Sequence, residues 1–436
     1  MSIPSTPLPD QSNAARASSF IDELGPGLIT GAADDDPSGI ATYSQAGAQF
    51  GFGMLWTMLL TYPLMTAVQL VSAEIGRVTG CGLAQNLKQA LPRPVVFALV
   101  AMLFVANTIN IGADLAAMGA AAQLVLGGWQ QIYTVVFAIV SLLLQVFVPY
   151  SSYARYLKWL TLVLLSYVAV LFVVPIDWKA AASGFVWPNF PLNAASFTLI
   201  VAIIGTTISP YMFFWQSAQE VEEIHGHRAA KPLLRAPDQA GPQLRRIKID
   251  TFFGMAVSNV VAVAIMVSTA ATLHAAGKTE IGTAADAAEA LRPIAGNFAF
   301  LLFSLGIVGT GLLAIPVLAG SAAYAIGETE GWKCGLENKP WKAIGFYGII
   351  TASTLAGIVI ACSSLDPIQA LLWSAVINGF AAVPIMVGMM YVAGRRDQMG
   401  RFTIGAVTRV FGWLAMAATA LAAITMVIAN IGLERG

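Results

Sequence analysis

The stretch GAADDDPSGIATYSQAG, residues 31–47, decides the fold. It sets Asp34, Asp35 and Asp36 side by side in an apolar run, then interrupts that run at Pro37-Ser38-Gly39. One aspartate at the centre of a membrane helix costs about 2.5–3.5 kcal/mol on insertion scales, so three facing lipid would cost about 7–10 kcal/mol. These three therefore face protein or water. Proline removes a backbone donor and clashes with the preceding turn. Unwound backbone at membrane depth persists only where it is buried in protein or lines a water-filled cavity.

The remainder of the chain supports a membrane setting. Of its 436 residues 57% are hydrophobic and 11% charged, against about 25% charged in soluble domains, and mean hydropathy is +0.72. Zero formal net charge gives no reason to expect a nucleic-acid partner; the expected surroundings are a lipid bilayer. Crossing about 30 Å of hydrocarbon takes roughly 20 apolar residues. Eleven runs qualify: 25–49, 52–77, 95–127, 131–149, 157–175, 193–220, 251–274, 296–327, 342–361, 368–393 and 403–431. With the N-terminus in the cytoplasm, every Lys and Arg except Lys179, Lys278, Arg292 and Arg435 falls on the cytoplasmic side, as the positive-inside rule requires. The C-terminus is then outside. The first residues lack a signal-peptide core, and Cys81, Cys334 and Cys362 form neither a CxxC pair nor a disulfide framework. The 221–250 segment, charged and without a hydrophobic period, reads as a flexible cytoplasmic linker; His225 and His227 within it are thin support for a regulatory metal.

A second interruption matches the first. Span six, LIVAIIGTTISPYMFFWQSAQEVEE, breaks around Thr207-Ile208-Ser209-Pro210. If spans 1–5 and 6–10 are repeats, both breaks fall in the first helix of a repeat, and five helices per repeat forces inverted topology. Paired broken helices in corresponding positions point to a transporter site at the bilayer midplane. Pro63, Pro316 and Pro384 read as ordinary kinks. The expected organisation is a cytoplasmic tail at 1–24, a first five-helix repeat at 25–175, an external loop at 176–192, a second repeat at 193–393 containing the 221–250 loop, and a connecting loop with the eleventh helix at 394–436.

Carboxylates beside freed backbone carbonyls make an oxygen-rich, negative site suited to a cation. Asp36, nearest the break, is the expected direct ligand. Asp34 and Asp35 line the access path or hold waters; alternatively they cap the second half-helix or pair with a distant donor. Asp114, flanked by Asn107 and Asn110 in an apolar helix, belongs to a cation or proton path or pairs structurally. Glu74 and Arg77 suggest an ion pair at a helix end. Asn378 in span ten offers an oxygen to the ion or bonds a neighbouring helix.

These residues resemble the NRAMP family of divalent-metal transporters. Its helix 1 pattern, Asp-Pro-Gly-Asn with Ile-Ala-Thr and Gln-Ala-Gly, is similar to Asp36-Pro37-Ser38-Gly39-Ile40-Ala41-Thr42 and Gln45-Ala46-Gly47. The "GPG" at 25–27 also looks like the family. Its helix 6 Met-Pro-His-Asn is echoed by Ser209-Pro210-Tyr211-Met212, with Ser217-Ala218 beyond, and its helix 3 Asp-Leu-Ala-Glu by Asp114-Leu115-Ala116-Ala117. The resemblance implies an all-α membrane protein of eleven transmembrane helices, a LeuT-like 5+5 inverted repeat with broken helices 1 and 6, working by alternating access. It implies metal contacts at Asp36, Gly39, Thr206 and Ser209, and ion or proton movement near Asp114, Tyr211 and Gln216.

The departures set the chemistry. Where the family has its metal-binding Asn this chain has Gly39; Ser209 replaces the thioether methionine, Thr206 the alanine whose carbonyl contacts metal, and Tyr211 and Gln216 the helix 6 histidines. Thioether favours softer metals, whereas hydroxyl, carboxylate and water favour Mg²⁺, Ca²⁺ and Mn²⁺. Loss of the Asn side chain leaves room for a cation carrying part of its water shell. The pattern looks like the NRAMP-related magnesium transporters. Met212 is expected to pack rather than bind. The expectation is an importer of hard divalent cations, Mg²⁺ before Mn²⁺, weakly or not proton-coupled, in a bacterial inner membrane, with the ion as cargo and no cofactor. The alternatives are a proton-coupled Mn²⁺/Fe²⁺ importer and, more distantly, a membrane metal sensor. Intramembrane aspartyl proteolysis is disfavoured because no Tyr-Asp pair occurs.

Overall fold

The computed structural model describes residues 31, 33–148, 162–227, 229–336, 338–363 and 365–433, which form helices and connecting turns with no strand. The principal helices are α1 (Pro37–Phe50), α2 (Trp56–Thr79), α3 (Leu83–Ala90), α4 (Arg93–Leu126), α5 (Gln130–Phe147), α6 (Leu165–Val170) and α7 (Trp178–Val186). They continue with α8 (Ala194–Thr207), α9 (Pro210–Gly226), α10 (Ala240–Thr269), α11 (Ala299–Glu330), α12 (Ile344–Ala361), α13 (Pro367–Gly394) and α14 (Ala406–Leu433). Nine helical stretches among the described residues are long and apolar enough to cross a membrane, α8 and α9 counting as one. They correspond to nine of the eleven expected spans. The first and fifth spans fall partly outside the described residues.

Both expected interruptions are present. Gly31, Ala33 and Asp34 are helical, Asp35 bends, and α1 restarts at Pro37. In the second, α8 ends at Thr207, Ser209 is extended (φ −77°, ψ 131°), and α9 restarts with Pro210 in its first turn. A proline at a first helical position gives up an N–H that has no intrahelical partner there anyway. Pro63, Pro316 and Pro384 lie inside the unbroken helices α2, α11 and α13.

The broken helix α8–α9 is the most enclosed of the nine stretches, 89% buried over its apolar window, whereas α5 and α14, at 22% and 28%, are the least enclosed. Small residues allow this enclosure. A Cβ on Gly205 would lie 2.6 Å from the Gly379 nitrogen, so α8 and α13 meet nearly backbone to backbone, as small-residue contacts permit in membranes.

The 221–250 segment is not a flexible linker. α9 continues to Gly226, taking in His225, and α10 begins at Ala240. Between them Leu233 is fully buried, and the Leu233 and Leu234 amides donate to the Arg77 and Val78 carbonyls (3.2 Å each). Arg246 pairs with the buried Glu220 at 2.6 Å, tying α10 to α9. The Glu74–Arg77 ion pair is absent among the described residues. Glu74 instead has Lys248 as its charged neighbour, and Arg77 has Glu220, Arg246 and Glu223. The packing of α9 and α10 against α2 brings these other charges closer than the same-helix partner.

Farther along α1, Gln45 grips the segment 279–281. Its Oε1 accepts from the Ile281 N–H (3.0 Å) and its Nε2 donates to the Thr279 carbonyl (3.2 Å). The His274 ring nitrogen Nδ1 lies 2.8 Å from the Ala48 carbonyl.

Candidate metal centre

Asp36 sits where both breaks converge. Its backbone is extended (φ −70°, ψ 171°) and its Oδ1 accepts from the Gly39 N–H (2.8 Å) and the Ser38 hydroxyl (2.6 Å), capping α1. Its Oδ2 accepts from Asn110 Nδ2 (3.2 Å) and has the Tyr211 hydroxyl 3.5 Å away. The carboxylate read from sequence as a direct ligand is thus a helix cap, with Oδ2 turned toward Asn110 and Tyr211.

Around it lies a set of buried oxygens. Asn110 and Asp114 are one turn apart on α4 and so share a face. Both Asp114 oxygens, Asn110 Oδ1, Thr206 Oγ1 and both amide atoms of Asn378 are buried without a hydrogen-bond partner. Buried polar atoms are nearly always satisfied by protein or ordered water, so a concentration of exceptions marks a place for ions or water. A Cβ at Gly39 would stand 3.2 Å from Thr206 Oγ1 and 3.3 Å from the Tyr43 ring, which puts α1, α8 and the bare Gly39 backbone face to face. Thr206 and Asn378 are the chain neighbours of Gly205 and Gly379, where α8 and α13 meet. Tyr211 has Asp36, Asp34 and Asp114 as charged neighbours.

The other sequence candidates distribute as follows. Ser209 Oγ turns back to the Gly205 and Thr206 carbonyls (2.8 and 2.9 Å) and stays within its own break. Gln216 is buried farther along α9, and Met212 is fully buried. Asp34 and Asp35 do not cap the second half-helix. They face α10, where Ser258 Oγ lies 2.7 Å from Asp34 Oδ2 and 3.1 Å from Asp35 Oδ1. Ser258 and Tyr43 are contacts that sequence reasoning missed. The small-xxx-small spacing of Gly254 and Ser258 was the available signal for a close helix approach.

None of the ion pairs among the described residues involves Asp34, Asp35, Asp36 or Asp114. Nor, among those residues, do three His, Cys, Asp or Glu side chains converge to enclose a metal unaided. Carboxylate, hydroxyl and amide oxygens spread around a helix break suit a cation that retains water.

Toward the Arg77 end, a cavity of about 310 Å³ separates α9 from α11, its lining including Glu222, His225, Glu328, Cys81 and Cys334. The Tyr324 hydroxyl donates to Glu222 (3.0 Å) across it, and the Trp215 and Tyr324 rings meet edge to face at 6.3 Å. Burial, with Glu328 and Glu222 close by, pushes the Cys334 thiol up to about 12.

The family described as "Natural resistance-associated macrophage protein-like" (Nramp) matches residues 27–429. The chain is similar to the divalent metal cation transporter MntH of Yersinia pestis (strain Pestoides F), 28% identical over 409 residues, covering 90% of this chain and 91% of that protein. It is similar also to MntH of Acidiphilium cryptum (strain JF-5), 27% identical over 401 residues, with 88% and 85% covered. Among solved structures, a mutant of the Eremococcus coleocola manganese transporter superposes with a TM-score of 0.75 at 18% identity, covering 95% of this chain and 87% of that one. The nucleobase-cation-symport transporter Mhp1 in a closed conformation gives 0.58 at 13% identity, with 94% and 90% covered. At these identities the structural likeness speaks for the fold, the helical LeuT-type architecture of these transporters.

Proposed function

The chain belongs to the Nramp family, and on that premise we propose that it carries hard divalent cations, Mg²⁺ and Mn²⁺ foremost, across the membrane by alternating access around the two helix breaks. The observation that carries this reading is the set of buried, unpartnered oxygens of Asp114, Asn110, Thr206 and Asn378 beside Asp36, with no basic side chain paired to them among the described residues. Such a site holds negative charge that a cation balances.

The donor chemistry favours hard ions. Every side-chain donor facing the break is oxygen; Ser209 stands where a thioether would select softer metals, and Met212 packs into the core. Mg²⁺ dehydrates reluctantly and binds through one or two carboxylates with several waters retained. Gly39 leaves space for those waters. In this reading Asp36 Oδ2 and Asp114 supply charge, Asn110 orients Asp36, Thr206 and Asn378 contact the water shell, and Tyr211 screens the three aspartates from one another. The Trp215–Tyr324 contact and the Tyr324–Glu222 bond close the path toward the cavity at the Arg77 end. With that end cytoplasmic, as the Lys and Arg distribution supports, transport is import through a plasma membrane.

A second reading, proton-coupled Mn²⁺ import, is favoured by the names of the relatives. Reconstituted protein in liposomes holding a Mg²⁺-sensitive or a pH-sensitive dye separates the two. Mg²⁺ entry without internal acidification is the expected result. Mn²⁺ entry with acidification and no Mg²⁺ entry would replace the first reading with the second.

A further inference from the structure

We propose that Asp34, Asp35 and Ser258 form a second divalent-cation station on the α10 side of the break, distinct from the Asp36–Asp114 side, and that it takes a partly hydrated hard cation. The proposal rests on the reading of the chain as a cation carrier.

The hydrogen arithmetic at Ser258 motivates it. Its Oγ is within hydrogen-bond distance of two carboxylates, Asp34 Oδ2 at 2.7 Å and Asp35 Oδ1 at 3.1 Å. A hydroxyl has one hydrogen to donate, so one of the two carboxylates faces a lone pair. Asp34 Oδ1 is buried with no partner at all. Asp34 is 0% and Asp35 4% exposed, so bulk water does not relieve the repulsion. Asp36 differs, because its oxygens already accept from Ser38, Gly39 and Asn110. The under-satisfied pair is Asp34 and Asp35.

A group on the opposite wall points to the same place. Tyr43, on α1, is fully buried beside Thr206. Its charged neighbours are, in order of strength, Asp34, Asp35 and Asp36. A phenolic oxygen held near these carboxylates is placed to meet an ion's water.

The backbone builds this pocket rigidly. A side chain on Gly31 would collide with the Gly254 carbonyl, so the chain before the break presses directly on α10. One turn on from that contact in each segment stand Asp34 and Ser258. Oxygens bound to Mg²⁺ at about 2.0–2.1 Å in an octahedron are about 2.9 Å apart along each edge; the two Ser258 contacts bracket that spacing. Two carboxylates, a hydroxyl and waters make a hard donor set with no nitrogen or sulfur. Multiple weak stations let an ion both enter and leave.

The test uses the full-length protein in lipid nanodiscs with Mn²⁺ alone as probe, counting bound ions by equilibrium dialysis and locating them by anomalous diffraction on crystals of the wild type. The expected result is two Mn²⁺ per chain, one beside Ser258. Ser258→Ala and Asp34→Asn each weaken one of the two ions at least tenfold and leave the other, whereas Asp36→Asn weakens the other. One ion per chain, lost in Asp36→Asn and unmoved in Ser258→Ala, overturns the second station and leaves the transport reading standing. No bound Mn²⁺ in the wild type, with no Mg²⁺ or Mn²⁺ uptake, overturns both.

Discussion

Replacing Asp36 by Asn and by Ala separates its two roles. Asn ranks with Asp as a helix N-cap, so Asp36→Asn keeps an acceptor for the Gly39 N–H, now met at 2.8 Å, and loses only the charge. Asp36→Ala removes the acceptor used by Gly39, Ser38 and Asn110, all of them buried. Loss of a cap costs about 0.5–2 kcal/mol, and a buried donor left unpaired about 1–3 kcal/mol. The Ser38 hydroxyl and the Asn110 amide can swing to other acceptors; the Gly39 N–H cannot. The lost cap and the stranded Gly39 N–H are one and the same bond, so the Ala variant should be about 1–3 kcal/mol less stable than the Asn variant. Relief of charge repulsion with Asp34 and Asp35 is common to both and cancels in the comparison. Unfolding of the two purified variants in detergent measures the gap, and dye-loaded proteoliposomes measure Mg²⁺ and Mn²⁺ entry, which should fall to the leak rate in both. An Asn variant that transports within twofold of wild type would refute the ligand role. An Ala variant as stable as the Asn variant would refute the capping role.

Four further outcomes are expected. A membrane-impermeant maleimide added to intact cells should label Cys362, exposed after α12, and spare Cys81 and Cys334; the reverse pattern inverts the topology. In opened membranes Cys334, with its thiol held up at about 12, should be about one part in ten thousand thiolate at pH 8, and its labelling should rise about tenfold per pH unit up to about pH 11. Arg246→Ala strips the partner from Glu220, which is 0% exposed, and should cost about 3–5 kcal/mol; Arg246→Ala combined with Glu220→Gln should recover most of that loss in the same unfolding assay. Met212→Leu conserves volume in a fully buried position and should cost less than about 1.5 kcal/mol with Mn²⁺ uptake unchanged, whereas a drop in Mn²⁺ affinity would make its sulfur a ligand.

The sequence announced those features that depend on one residue being costly where it stands. Prolines at 37 and 210 and three aspartates in an apolar run have few physical explanations, and the breaks lie where they predict. Features that depend on which helix lies opposite were not legible. Ser258 is an unremarked serine in an apolar helix until Gly31 and Gly254 bring it against Asp34. Glu74 and Arg77 sit at a spacing that suits an ion pair, yet α9 and α10 supply nearer charges. The 221–250 segment lacks an apolar period because its helices are held by Leu233 and by Glu220–Arg246 rather than by a continuous greasy face. Asp36 was legible as a carboxylate for an ion but not as a cap, because capping depends on the backbone turn at Gly39.

That cap has a mechanical consequence. α1 is a rod of 14 residues, about 21 Å long at 1.5 Å per residue. Its first rung is fastened by the Asp36 carboxylate, and its ninth residue, Gln45, is fastened to Thr279 and Ile281. An ion drawing Asp36 toward itself pulls on the base of the rod. The Gln45 anchor, about two and a half turns along at 3.6 residues per turn, would feel the same pull as a tilt. On the proposed reading, a filled site would be felt at the Gln45 contact through the attitude of a single lever.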